Sequence, residues 1–168
     1  MTIEAFEHFK QISQSAYAAD LASVEDIPLE VAARYASEQF DRLAPIGLDT
    51  QCQLFFDVIE TESRQPAGYL WLGIQNRFEK KVVSINDIAI HPSFRGRGLG
   101  KLLMKFVEVE AAKAHAAYIR LHVFNMNNVA KHLYLTMGFA PTSIDMRKDL
   151  SYNSAAHFCE PLRAKNQF

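Results

Sequence analysis

Ile88-Ala89-Ile90-His91-Pro92-Ser93-Phe94-Arg95-Gly96-Arg97-Gly98-Leu99-Gly100-Lys101 carries the chain out of a β-rich run, Val82–Ile90, through a glycine-dense basic turn and into an amphipathic run, Leu99–His115. A strand that feeds such a turn and then a helix makes an anion cradle. The first amides of a helix have no intrahelical acceptor, the macrodipole adds positive character there, and glycines let a phosphate approach the main chain. Arg95, Arg97, Lys101 and Lys105 surround the turn, with no acidic residue before Glu108. On the helix itself, Leu99, Leu102, Leu103, Phe106 and Val107 form one apolar stripe, so it is expected to pack on a sheet.

Outward from this turn, periodicity predicts an α/β chain with a mixed sheet. Residues 2–6 read as a short first strand, and 7–22 and 28–43 as helices, the second with Leu29, Ala32, Ala36, Phe40 and Leu43 at helical spacing. Three strand-like runs follow, Gln51–Glu60, Ala67–Gln75 and Lys81–Ile90, with turns expected near Gln65-Pro66 and Asn76-Arg77. Beyond the helix, Tyr118–Asn125 reads as a strand, Ala130, Leu133, Tyr134 and Met137 mark another helix, and Phe139–Leu150 returns as a last strand or hairpin arm. Gly138 fits the position just past that helix, where a left-handed conformation is often needed. The expected organisation is one domain over residues 1–150 and a C-terminal extension over 151–168.

With 168 residues and 49% hydrophobic content, the chain can bury a core by itself. Its net charge of −1 gives no global pull toward nucleic acid or an anionic membrane, and neither is expected as a partner. Cys52 and Cys159 match no metal or redox spacing, so no metal is expected and both read as free thiols in a reducing compartment. The N-terminus lacks the basic-then-apolar layout of a signal peptide, and no apolar stretch is long enough to span a bilayer. A cytoplasmic location is the expectation by elimination.

A second motif, Asn127-x-x-Ala130-x-x-Leu133-Tyr134-x-x-x-Gly138-Phe139, lies a short distance downstream of the first. At Arg95-x-x-Gly98-x-Gly100 and at this segment the chain resembles the GNAT superfamily (GCN5-related N-acetyltransferases), in detail from about Gly68 to Leu150. Asp41-Arg42-Leu43, Gly47-Leu48-Asp49-Thr50 and Gly68-Tyr69-Leu70-Trp71 are similar to a bacterial subgroup whose acceptors are mostly unassigned. The resemblance implies a GNAT fold, with a mostly antiparallel central sheet, splayed middle strands and flanking helices. It also implies acetyl-CoA as co-substrate and a primary amine as acceptor. Domains of this family often dimerise, and a homodimer involving the 151–168 tail is open.

Residue by residue, the resemblance places the pyrophosphate of acetyl-CoA on the turn Arg95, Gly96, Arg97, Gly98, Leu99, Gly100 and Lys101, and the pantetheine arm along Ile88, Ala89 and Ile90. Asn127 and Ala130 fall in the segment that contacts coenzyme A, although Asn127 is equally a candidate helix N-cap. Tyr134 matches the family's general acid, which protonates the departing thiolate. A phenol suits that role because it stays protonated at neutral pH. Two candidates stand for the base. His122 occupies a strand position where some relatives that acetylate N-terminal amines carry a glutamate, and imidazole titrates near neutrality; Asp87, before the glycine turn, is its rival, acting through water. His91 before Pro92 reads as a turn-shaping residue, and Trp71, Phe55 and Phe56 as core or pocket lining. Eight acidic residues between 1 and 41 suit either a cationic acceptor or, more simply, solvated helix faces. The leading expectation is direct acetyl transfer without an acyl-enzyme. The alternative is a catalytically silent CoA-binding regulatory or interaction module. A P-loop phosphohydrolase is disfavoured because Gly-x-x-x-x-Gly-Lys-Ser/Thr is missing.

Overall fold

The computed structural model describes residues 1–150, so the expected extension at 151–168 lies outside the described residues. The elements run α1 (Ile3–Glu25), α2 (Leu29–Leu43), β1 (Gln53–Ile59), β2 (Pro66–Arg77), β3 (Lys80–Ile90), α3 (Leu99–Lys113), β4 (Tyr118–Leu121) and α4 (Asn128–Thr136). The four strands lie in the order β1-β2-β3-β4, the first three antiparallel and β4 parallel to β3 across the α3 crossover. This is the expected mixed, mostly antiparallel sheet with flanking helices. None of the described helices is long and apolar enough to cross a membrane.

Strand alternation divides the core in two. On one face, Phe55, Tyr69 and Trp71 meet Phe6, Phe9 and Phe40 of α1 and α2. On the other, Leu70, Leu72, Val83 and Ile85 meet Leu103, Met104 and Val107 of α3 and Tyr134 of α4. The helical pair is held together by small residues, Ala18 against Ala32 and Ala36, which lets the two axes approach closely. Trp71 thus belongs to the aromatic core rather than to an open pocket, and Phe55 stacks on it at 5.3 Å between ring centroids.

Several boundaries differ from the sequence expectation. Residues 2–6 form no strand: the Thr2 hydroxyl accepts the Ala5 amide at 3.2 Å and starts α1, and burial of Phe6 and Phe9 on one face decides for the helix. The β2–β3 turn falls at Phe78-Glu79, both at positive φ (48° and 62°), two residues later than Asn76-Arg77. Tyr118–Asn125 shortens to Tyr118–Leu121, because β3 pairs with it only through Val82–Ile85. Phe139–Leu150 forms no strand, and residues 140–150 are exposed throughout.

The shortened pairing is what opens the sheet. Between Trp71–Asp87 and Leu72–Ile85 the β2–β3 register slips by one residue at Asn86. This bulge is pinned by Gln53, whose Oε1 accepts from the Trp71 indole at 2.7 Å and from the Asn86 amide at 3.0 Å. Beyond the bulge β3 keeps β2 as its partner and parts from β4, leaving the strands splayed. The bulge also inverts the alternation. Ile85 faces α3, whereas Asp87, two residues on, faces α1.

Gly68 sits where β2 runs beside the open part of β3. A Cβ there would press into the Ala89 carbonyl oxygen, a backbone atom that cannot step aside. Gly68→Ala is expected to cost about 2 kcal/mol of stability by urea denaturation; an unchanged midpoint would contradict the close approach.

Candidate active site

The glycine turn follows a single 3₁₀ turn, Pro92–Phe94, anchored by buried Phe94. Gly96 and Gly98 take φ of +77° and +80°, a region L-residues rarely occupy, and a Cβ at either would meet open space. Their glycines serve conformation. Gly100 differs, because its Cβ would lie 3.1 Å from Leu133 Cδ2, so its lack of side chain lets α4 close on α3. Among the described residues the amides from Gly96 to Gly100 donate to no main-chain carbonyl, and the first to do so is Lys101, to Gly98 O at 3.0 Å. Five consecutive N–H groups leading into α3 are thus without a main-chain acceptor among the described residues. Arg97 lies over the Phe94 ring at 5.3 Å, and the Arg95 Nε donates to the Ile90 carbonyl at 2.9 Å, tying the turn to the end of β3.

Along β3, the His91 amide donates to Ala67 O at 2.8 Å, which sets the alternation of the ladder. Ala89 therefore turns its main-chain groups to β2, as its carbonyl beside Gly68 attests. Ile88 and Ile90 turn theirs to the side that β4 has left. Of the three residues singled out on this strand, two present backbone to the opening and one does not.

At the bulge, Asp87 accepts a hydrogen bond from the Ser13 hydroxyl of α1, and the nearby Tyr69 hydroxyl and Ile88 amide also favour its charged form. Burial nevertheless outweighs these donors and holds its carboxyl above the ordinary carboxylate range. Tyr134, 8% exposed on α4, packs against Phe139 with centroids 5.8 Å apart. Its hydroxyl is pushed up first by burial and then by the charge of Asp87. The charge of a carboxylate on the α1 side is thus felt at a phenol on the α3–α4 side.

Asn127 caps α4, its Oδ1 accepting the Ala130 amide at 3.1 Å, which uses both residues in the helix start. Gly138, at φ +85°, ends the same helix, and the Phe139 amide returns to Tyr134 O at 3.0 Å. His122 stands exposed just past β4, outside the strand assigned to it, with its ring edge-on to Phe124 at 5.0 Å. Phe124 in turn meets Tyr17 of α1 at 5.8 Å. The Tyr17 hydroxyl is pushed up by burial, then by Tyr35 and Glu25 nearby. Sequence reading passed over Ser13, Tyr69 and Tyr17. Ser13 left one signal, a polar residue in the apolar stripe Phe6, Phe9, Ala18, which implies a buried partner.

The acetyltransferase (GNAT) family model matches residues 17–139 of this chain. The chain is 29% identical over 150 residues to YdgE of Bacillus subtilis, an uncharacterized N-acetyltransferase, covering 89% of this chain and 95% of that one. It is similar also to YycN of the same organism, 25% identical, whose crystal structure superposes with a TM-score of 0.83 over 89% of this chain and 95% of the other. A shorter match, 38% identical over 63 residues, covers 38% of this chain and 33% of streptothricin acetyltransferase from Streptomyces lavendulae. The strand, the turn of free amides and the second helix that carry the site all fall inside the matched span, and the chain belongs to the GNAT acetyltransferase family.

Proposed function

We propose that this chain transfers an acetyl group from acetyl-CoA directly to a primary amine. The observation that carries the reading is the run of amides from Gly96 to Gly100, without main-chain acceptors among the described residues, at the open end of β3, with the charge of Asp87 felt at the Tyr134 hydroxyl. In this reading the Gly96–Gly100 amides hold the pyrophosphate, with Arg97 and Lys101 adding charge from exposed positions. The Ile88 carbonyl and the Ile90 amide take the pantetheine arm as an added strand would, and the Ile90 N–H polarises the thioester carbonyl.

The amine nitrogen then bonds to the carbonyl carbon as the carbon–sulfur bond breaks. Asp87 accepts the amine proton, through water or directly, and the Tyr134 hydroxyl gives a proton to the departing sulfur. Solvent returns the proton from Asp87 to Tyr134 after product leaves. Asp87 is assigned as the base over His122 because it shares the splay with Tyr134, whereas His122 stands exposed on the rim with Phe124. His122, Phe124 and Tyr17 are assigned to the acceptor's approach. Asn127 and Ala130 act by fixing the start of α4, and so the position of Tyr134. A relative over 63 residues is a streptothricin acetyltransferase, which supports small amine acceptors over protein ones.

Thiol release from acetyl-CoA against a diverse panel of primary amines tests the reading. Amine-dependent release with stoichiometric N-acetyl product is expected. Tight acetyl-CoA binding with no release for any amine would favour the silent binding module instead.

A further inference from the structure

On the covered face of α1, Phe6, Phe9 and Ala18 are apolar and Ser13 is not. Ser13 is 6% exposed, and a hydroxyl held there needs a partner. Inside a helix a serine can donate to the carbonyl four residues back, which here is that of Phe9. Ser13 instead gives its one proton to Asp87 Oδ2, 74 residues away on β3. The bulge at Asn86 makes this meeting possible, because it turns Asp87 off the α3 face and toward α1. Among the groups that favour the charged form of Asp87, Ser13 stands first, ahead of the Ile88 amide and Tyr69.

We propose that Ser13 is a positioning residue for acetyl transfer, its hydroxyl holding the Asp87 carboxylate ionised and in one orientation to accept the amine proton. This role rests on Asp87 being the base. Asp87 keeps part of its surface open, as a group that meets an amine or a water must. The titratable groups that its charge reaches are Tyr69 of β2 and Tyr134 of α4, and burial raises both phenols, so each stays protonated and neutral. Tyr17 lies one turn beyond Ser13 on the same face of α1, beside Phe124 on the acceptor's approach. One helix therefore lines the path of the amine and orients the group that takes its proton.

Ser13→Ala tests the role, since alanine suits the helix and removes only the hydroxyl. The acid limb of its pH–rate profile is expected about one pH unit or more above the wild-type limb, with acetyl-CoA affinity within about twofold. In the Asp87→Asn background the same change should lower kcat no further. Thermal melts give a readout without turnover. The hydrogen bond favours the ionised carboxylate, so its contribution is present above the titration and fades as pH falls through it. Ser13→Ala should therefore melt below wild type at about pH 8, and by a smaller margin at about pH 3. An acid limb that stays in place in Ser13→Ala, while Asp87→Asn abolishes it, would overturn the role of Ser13 alone. So would equal losses of kcat in both backgrounds, or equal melting margins at both pH values, which mark a packing residue. An acid limb that survives in Asp87→Asn would remove Asp87 as the base, and the role of Ser13 with it.

Discussion

Tyr134→Phe lowers kcat by about two to three orders of magnitude while acetyl-CoA affinity stays within about twofold. The substitution keeps the ring, its contact with Phe139 and the fill of the α3–α4 core, and removes only the hydroxyl. That hydroxyl is held protonated by burial and by the charge of Asp87, so it reaches the neutral range with its proton in place for the sulfur. An interaction made only as the thiolate forms shows in kcat and leaves ground-state binding alone. Steady-state kinetics beside calorimetric titration of acetyl-CoA separate the two quantities. An unchanged kcat would reduce Tyr134 to a packing residue.

Asp87→Asn is expected to lower kcat by about a hundredfold, and His122→Ala by much less. The wild-type rate should fall as pH drops through the carboxyl's titration, and that acid limb should lie above the ordinary carboxylate range, since burial raises the group. In the Asn variant the limb should vanish. Stability should move the other way. A raised folded-state pKa means the native fold favours the protonated form, so this group's contribution is full at low pH and is lost as pH rises through the folded value. The neutral amide therefore stabilises the fold at about pH 8 and changes little at about pH 3. Thermal melts at the two pH values, beside the pH–rate profile, test both halves. An intact acid limb in the Asn variant, lost instead in His122→Ala, would return the base to His122.

The elements that the sequence made legible are those set by local chemistry. Gly96 and Gly98 announce a turn that only glycine forms readily, and Leu103 and Val107 announce the helix face below it. Gly138 and Phe139 likewise close α4 as their pattern implies. What escaped reading depends on partners far along the chain. A strict two-residue period through Val83 and Ile85 would bury Asp87 against α3; the bulge at Asn86 reverses it, and the bulge rests on Gln53, 33 residues away. The Asp87–Ser13 hydrogen bond spans 74 residues and has no local signature at Asp87. Ile3 and Ala5 alternate like a strand, yet Phe6 and Phe9 reach the core only from a helix. The arm 140–150 has strand patterning but pairs with no strand among the described residues, because patterning specifies a face and not its partner.

Everything in the account hangs on the glycine turn as the seat of the donor. Gly98→Val tests it directly, because an added Cβ meets nothing and the +80° φ is one that valine resists. Forced out of that conformation, the turn no longer holds its unpaired amides in their present places. Calorimetric titration of acetyl-CoA is expected to show micromolar-range binding to the wild-type chain and a loss of about tenfold or more in Gly98→Val, with the thermal midpoint little moved. Equal affinity in the two proteins, or no binding to either, would contradict it.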